Sequence, residues 1–156
     1  MAIDKVRAYL SAFGMEERIN EYAESSATVE LAAHAAGCEP CRIAKTLSFL
    51  VDDAPVLVVA AGDARVANPK FKATFHAKAK MIPGDQVEPL VGHAPGGVCP
   101  FAVNDGVRVF LDESLKRFDT VFPAAGSSNS SIELTIPELE RTSRAEGWVD
   151  VCKDWE

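Results

Sequence analysis

The sequence predicts one α+β domain over residues 1–156 with a mixed, mostly antiparallel sheet. Three observations point there. Helical and strand patterns alternate without a regular βαβ rhythm. Two apolar runs, "KTLSFLV" and "PVLVVAA", flank the turn "DDAP" as a hairpin would. No linker, low-complexity segment or internal repeat divides the chain, and 156 residues suffice to bury one core.

The elements follow in order. Ile3, Val6, Leu10 and Phe13 lie on one helical face, and Gly14 stands where a C-terminal glycine would end it. A second helix is predicted from Thr28 to about Ala36, with Thr28 as cap, Glu30 in the first turn and Gly37 as terminator. The two runs around "DDAP" are strands, and the second, apolar on both faces, belongs at the sheet centre. "NPKFKATF" reads as a short helix capped by Asn68 with Pro69 at its first position. "KAKMI" reads as a strand, "DQVEPLVG" as a short helix bent at Pro89, and "HAPGGVCPF" as a loop. "VRVFL" is a strand and "DESLKRF" a helical turn or two; "TVFPAAG" leads to the polar loop "GSSNSS". "IELTI" alternates as a strand, "PELERTSR" opens a helix at Pro137, and "GWVDVC" is a last short strand.

Composition narrows the function classes. Twenty-three acidic residues against sixteen basic give a net charge of -7, so a nucleic-acid partner would be held at few phosphates. No apolar run approaches a membrane span, and "MAIDKVRAYL" lacks the apolar stretch and cleavage site of a signal peptide. A cytoplasmic location is expected, with no membrane or DNA partner. There thiols stay reduced, so Cys38, Cys41, Cys99 and Cys152 are expected free.

Cys38 and Cys41 form a lone C-x-x-C. A structural zinc site needs four ligands, and His34, His76 and His93 show no ligand spacing. A redox pair usually opens a helix after a strand; here the order is reversed. No cofactor or metal is expected. Lys45 is more suggestive. Strand alternation puts it on one face with Leu47, Phe49 and Val51, either snorkelling at the strand end or pointing into a pocket. The glycines of "GGVCP" leave backbone amides unshielded, as an oxygen-binding loop or a plain tight turn would. The hydroxyls of "GSSNSS" suit either ligand contact or turn chemistry.

Taken together, "TVELAAHAAGCEPCRIAKTLSFLV", "VLVVAAGDARV", "GGVCPFAV" and "FPAAGSSNSSIELT" resemble the YbaK/prolyl-tRNA-synthetase-associated domain family, over about Thr28 to Leu139. Its most specific marks are the lysine of "AKTL" and the G-x-x-x-P loop. The resemblance implies a largely antiparallel sheet curved towards a barrel and surrounded by helices. It also implies metal-independent hydrolysis of the ester joining a wrong amino acid to a tRNA. A small amino acid on tRNA for proline is the expected substrate, and a non-catalytic module binding tRNA ends or a synthetase is the alternative. Partners are the acceptor end of aminoacyl-tRNA and an aminoacyl-tRNA synthetase, with the protein a monomer.

Carried onto this chain, the resemblance assigns Lys45, Gly96, Gly97 and Pro100 to catalysis. It assigns Thr28, Val98, Cys99, Ser127, Ser128 and Asn129 to substrate binding. The chain departs from some members in lacking a histidine in the "GSSNSS" loop and in carrying Cys99, which leaves the substrate amino acid open.

Overall fold

The computed structural model describes residues 2–155. Helix α1 (Ala2–Ser11) and strand β1 (Ile19–Glu21) come first, followed by α2 (Val29–Ala36), β2 (Ile43–Val51) and β3 (Ala54–Ala61). Next are β4 (Arg65–Val66), α3 (Asn68–Phe75), α4 (Gly84–Val91), β5 (Arg108–Asp112), β6 (Thr120–Pro123), β7 (Ser130–Ile132) and β8 (Leu134–Thr135). The chain continues through α5 (Ile136–Ser143), β9 (Gly147–Val149) and β10 (Cys152–Lys153).

Six strands form one curled sheet in the order β8-β6-β2-β3-β5-β9. Its axis is the β2–β3 hairpin, antiparallel from Ala44↔Ala61 to Val51↔Ala54. Asp52 and Asp53 both adopt positive φ, the geometry that matches a tight turn to the strand twist. Strand β3 lies centrally, and Leu57, Val58, Val59 and Ala60 are fully buried. Crossovers bring β6 parallel to β2, and β5 parallel to β3, so the sheet is mixed. Two antiparallel ribbons, β1–β7 and β4–β10, fold over it. No helix among the described residues is long and apolar enough to cross a membrane.

The helices cover defined parts of the sheet. On the face that alternation gives to Ile43, Lys45, Leu47 and Phe49, Ile43 packs with Ala32 and Ala33 of α2 and with Phe122. Phe49 stacks on Phe71 of α3 at 4.7 Å between ring centroids. A buried ring such as Phe71 contributes about 1.5–3 kcal/mol through burial alone. Lys45 therefore lies between two helix-covered stretches. Helix α5 is closed by a capping box: Thr135 accepts from the Glu138 amide, and Glu138 accepts from the Thr135 amide. Arg18 pairs with the same carboxylate at 2.8 Å, and these bonds hold the Glu138 carboxyl at about 2.

Several boundaries differ from the sequence expectation. "KAKMI" makes only an isolated bridge, Met81 to Phe49, because this stretch runs beside the end of β2 for three residues. "IELTI" splits at Glu133: Ile132 ends β7 against β1, while Leu134 and Thr135 pair with β6. Asn68 is the first helical residue of α3, and Ala67 takes the cap position without a side-chain bond. β1, β4 and β6 lie outside the expected strands, and "GWVDVC" splits into β9 and the start of β10 with Asp150 and Val151 between them. Each is only two to four residues long, too short for alternation to register.

Candidate functional site

Lys45 is half-buried. Its ammonium donates to the carbonyl of Ala64 and, at 3.4 Å, to that of Gly62. Burial pulls its pKa below the ordinary lysine value, partly opposed by Cys152 and Asp63 nearby. The two carbonyls sit where β3 ends, and that end is fixed from below. A Cβ added to Gly62 would lie 2.0 Å from the Pro40 carbonyl oxygen and 2.8 Å from Val29. The turn after α2, "CEPC", thus packs directly on the backbone that orients Lys45.

Beside Lys45 opens a cleft of about 170 Å³. It lies where β2 loses its neighbour. Strand β6 pairs with β2 only through Ile43 and Ala44, and the segment after Ala79 joins only at Ser48. Both faces of β2 reach this gap, so Lys45 and Thr46 line it together. Thr28, Val29 and Ala32 close one side from α2. Thr28 caps that helix through the Leu31 amide at 3.2 Å, and Gly37 ends it at φ +73°.

Two loops form a further wall, meeting the segment just ahead of α2, where an added Cβ on Gly96 would lie 3.4 Å from Ala27. From the glycine loop, Gly96 and Val98 line the cleft. Gly96 sits at φ +92°, which a side chain would strain. Gly97 is pressed against the other loop: its added Cβ would meet the backbone of Ser127 at 2.9–3.0 Å. The Gly97 amide is already used, donating to the Ala94 carbonyl at 3.1 Å. Pro100 is buried behind the loop.

The structure turns Cys99 away from the cleft. It is fully buried, with its sulfur 3.6 Å from Nε2 of His93, and burial pushes its thiol to about 12. Ser127, Ser128 and Asn129 do not line the cleft either; they hold their loop in place. Ser127 Oγ donates to Asn129 Oδ1 at 2.9 Å, Asn129 Nδ2 donates to the Tyr22 carbonyl, and the Ser128 carbonyl accepts from the Ser26 amide. The next two serines, Ser130 and Ser131, reach the cleft instead. Their side chains follow strand β7, and the split of "IELTI" moved that strand two residues earlier than alternation indicated.

Two more cleft residues had no sequence signal. Ser26 Oγ and Thr46 Oγ1 are buried and find no hydrogen-bond partner among the described residues. A buried hydroxyl without a partner carries a desolvation cost of about 1–3 kcal/mol, which a bound polar group would remove. Ser26 is hidden in "ESSAT" among ordinary turn residues. Thr46 was assigned by alternation to the face opposite Lys45, and only the unpaired edge of β2 brings both to one place.

The aminoacyl-tRNA editing domain family matches residues 23–142, which include every residue of this cleft. The chain belongs to that family. The editing domain has a relative of its own length in Bacillus subtilis (strain 168), the uncharacterised protein YwhH, 49% identical and aligned over all of both chains. The proline–tRNA ligase of Lactiplantibacillus plantarum is 29% identical over 70% of this chain, which spans 19% of the ligase. A crystal structure of a candidate trans-editing enzyme for prolyl-tRNA synthetase superposes with a TM-score of 0.87 at 26% identity, covering 97% of each chain. The curled mixed sheet with surrounding helices is the fold that the chain shares with that crystal structure.

The cysteines of the editing domain stand apart from its cleft. Burial raises the thiols of Cys38 and Cys41 above their ordinary value, the opposite of an activated pair. Among the described residues no three His, Cys, Asp or Glu side chains converge as a metal site.

Proposed function

We propose that the protein hydrolyses the ester of mischarged aminoacyl-tRNA, with tRNA for proline carrying a small wrong amino acid as substrate. One observation carries this: a cleft of about 170 Å³ joins Lys45 to the partnerless hydroxyls of Ser26 and Thr46. Sites for cofactors or drug-sized ligands run to roughly 300–1,000 Å³, so this one suits a single small amino acid at the end of a larger molecule. The hydroxyls offer hydrogen bonds to the amino acid's polar head. Apolar groups of Val29, Ala32 and Phe122 bound its side chain.

An aminoacyl ester needs a placed water and a stabilised oxyanion. The amides of Gly96 and Val98 are the donors in reach, since that of Gly97 is spent within its loop. Lys45 supplies positive charge to the terminal phosphate or ribose region, or to the developing oxyanion. A ribose hydroxyl of the substrate serves to activate the water, for no side chain in the cleft is a ready base. Selection rests on a steric wall, because methylene-sized differences give only about 10- to 200-fold by binding.

The test is incubation with alanyl, seryl and cysteinyl esters on tRNA for proline, followed by release of free amino acid. Release of at least one small amino acid above the spontaneous rate is expected. Cleavage of none, with saturable tRNA binding, would leave a binding module in its place.

The contact between the two cleft loops gives a second expectation. Gly97→Ala forces its new methyl group against the Ser127 backbone and moves one loop relative to the other. Displacements of about 1 Å can cost about 10²-fold in rate. Deacylation by the folded protein should therefore fall by about 10- to 100-fold, and because the obstacle is backbone the thermal midpoint should fall as well. A variant with unchanged kinetics would remove this wall from the mechanism.

A further inference from the structure

We infer that the exposed basic face around α3 grips the phosphate backbone of the tRNA whose acylated end enters the cleft; this rests on the ester-hydrolase function proposed above. The face stands out from the charge of the chain. Between Asp63 and Asp85 the sequence carries Arg65, Lys70, Lys72, Lys78 and Lys80 and no acidic residue, in a protein where twenty-three acidic residues outnumber sixteen basic ones. All five side chains are exposed, and so is His76.

Their partners separate them further. Lys70 is occupied by Asp150 at 3.0 Å and the Cys152 carbonyl. Arg65, Lys72, Lys78 and Lys80 have no carboxylate within ion-pair distance among the described residues. Arg7, Arg108 and Lys116 each meet an acidic side chain, whereas Lys5, Arg141, Arg144 and Lys153 are scattered cations that also lack one among the described residues; what distinguishes the α3 stretch is that its cations are consecutive in the chain with no acidic residue between them. Lys72 and Lys78 also line one groove together with Asn68, Pro69 and Ala79. A row of unneutralised ammonium groups along a groove matches a phosphate chain, which offers charge without requiring base contacts.

The face is continuous with the cleft. Arg65 directly follows Ala64, whose carbonyl holds the Lys45 ammonium. At the other end, the Lys80 carbonyl accepts from the Leu50 amide. Five strand residues separate Lys45 from Leu50, about 17 Å at about 3.3 Å per residue. An acidic protein surface, such as that of a synthetase, is the competing partner for a basic face; continuity with the cleft favours the nucleic acid.

The experiment compares wild type, the triple variant Lys72→Gln/Lys78→Gln/Lys80→Gln, and a control triple, Arg7→Gln/Arg108→Gln/Lys116→Gln. Each is titrated with unacylated tRNA for proline over a salt series. Each is also given a short aminoacyl ester, alanyl-adenosine, that lacks the tRNA body. The α3 triple should bind tRNA about 10- to 100-fold more weakly, with a salt slope shallower by about 2, and cleave the short ester as wild type does. The control triple should bind tRNA like wild type. Equal tRNA affinity and slope in the α3 triple would overturn the inference, as would equal weakening in both triples. Each of the three proteins is titrated in parallel with prolyl-tRNA synthetase, and loss of that binding in the α3 triple with unchanged tRNA affinity would overturn the inference in favour of a protein partner. If wild type cleaves no ester at all, the hydrolase function fails, and the tRNA titration alone still decides the role of the α3 face.

Discussion

Replacing Lys45 with alanine lowers the rate constant for ester cleavage by about 10²–10³-fold, the loss expected when a charge-stabilising donor leaves a shielded site. The effect should appear in the chemical step rather than in tRNA affinity, since a single ammonium is a small part of the grip on a polyanion. Lys45→Arg does not restore the rate. A planar fork cannot occupy the space of a compact ammonium held by the carbonyls of Gly62 and Ala64. Single-turnover rates for the three proteins on one mischarged tRNA test this, and equal rates for wild type and Lys45→Ala would take the lysine out of the mechanism.

The same residue predicts a pH signature. Burial favours the neutral amine, so the folded-state pKa lies below the ordinary 10.5. Activity that requires the ammonium falls as pH rises through the lowered value, once spontaneous ester hydrolysis is subtracted. Stability moves the other way. Between the lowered value and 10.5 the unfolded chain binds the proton more strongly, so wild-type stability rises with pH across that window. Lys45→Ala lacks both changes.

Gly62→Ala destabilises the protein by about 3 kcal/mol or more, the upper range for overpacking. The glycine's backbone angles are ordinary; space is the constraint. A methyl group 2.0 Å from the Pro40 carbonyl oxygen meets backbone on the far side, not a side chain that can rotate away. The "CEPC" turn must lift, and the carbonyls holding Lys45 move with it. Urea unfolding should show a lower midpoint, and the folded fraction should cleave more slowly. An unchanged midpoint would mean that the turn is not seated on β3.

The hairpin, the capped helix α2 and the glycine loop were legible in the sequence because each is built from local signals. "DDAP" between apolar runs, Thr28 with Gly37, and "GGVCP" all act within a few residues. Lys45 was legible as an oddity through alternation alone, and as a candidate through the company it keeps. What was not legible depends on long-range partners. Ser26 and Thr46 matter only because β2 lacks a neighbour between Ala44 and Ser48. Ser130 and Ser131 displaced Ser127, Ser128 and Asn129 from the cleft because β7 starts early to pair with β1, a strand of three residues. The resemblance assigns Cys99 to substrate binding, and the fold buries it against His93.

Helix α1 contributes nothing to the cleft lining, yet it touches the roots of both wall loops. Lys5 donates to the Gly92 carbonyl at 3.0 Å, just ahead of the glycine loop. Val6 and the Ala2 carbonyl abut Gly126, where the serine loop begins, at 2.8 and 3.0 Å from an added Cβ. Those residues precede the matched family segment, which starts at residue 23. The helix is therefore a strut that braces both of those wall loops from behind. Substitutions along it would shift the glycine loop, and with it the Gly96 and Val98 amides, so both selectivity and rate can be retuned from a helix that lines no part of the cleft.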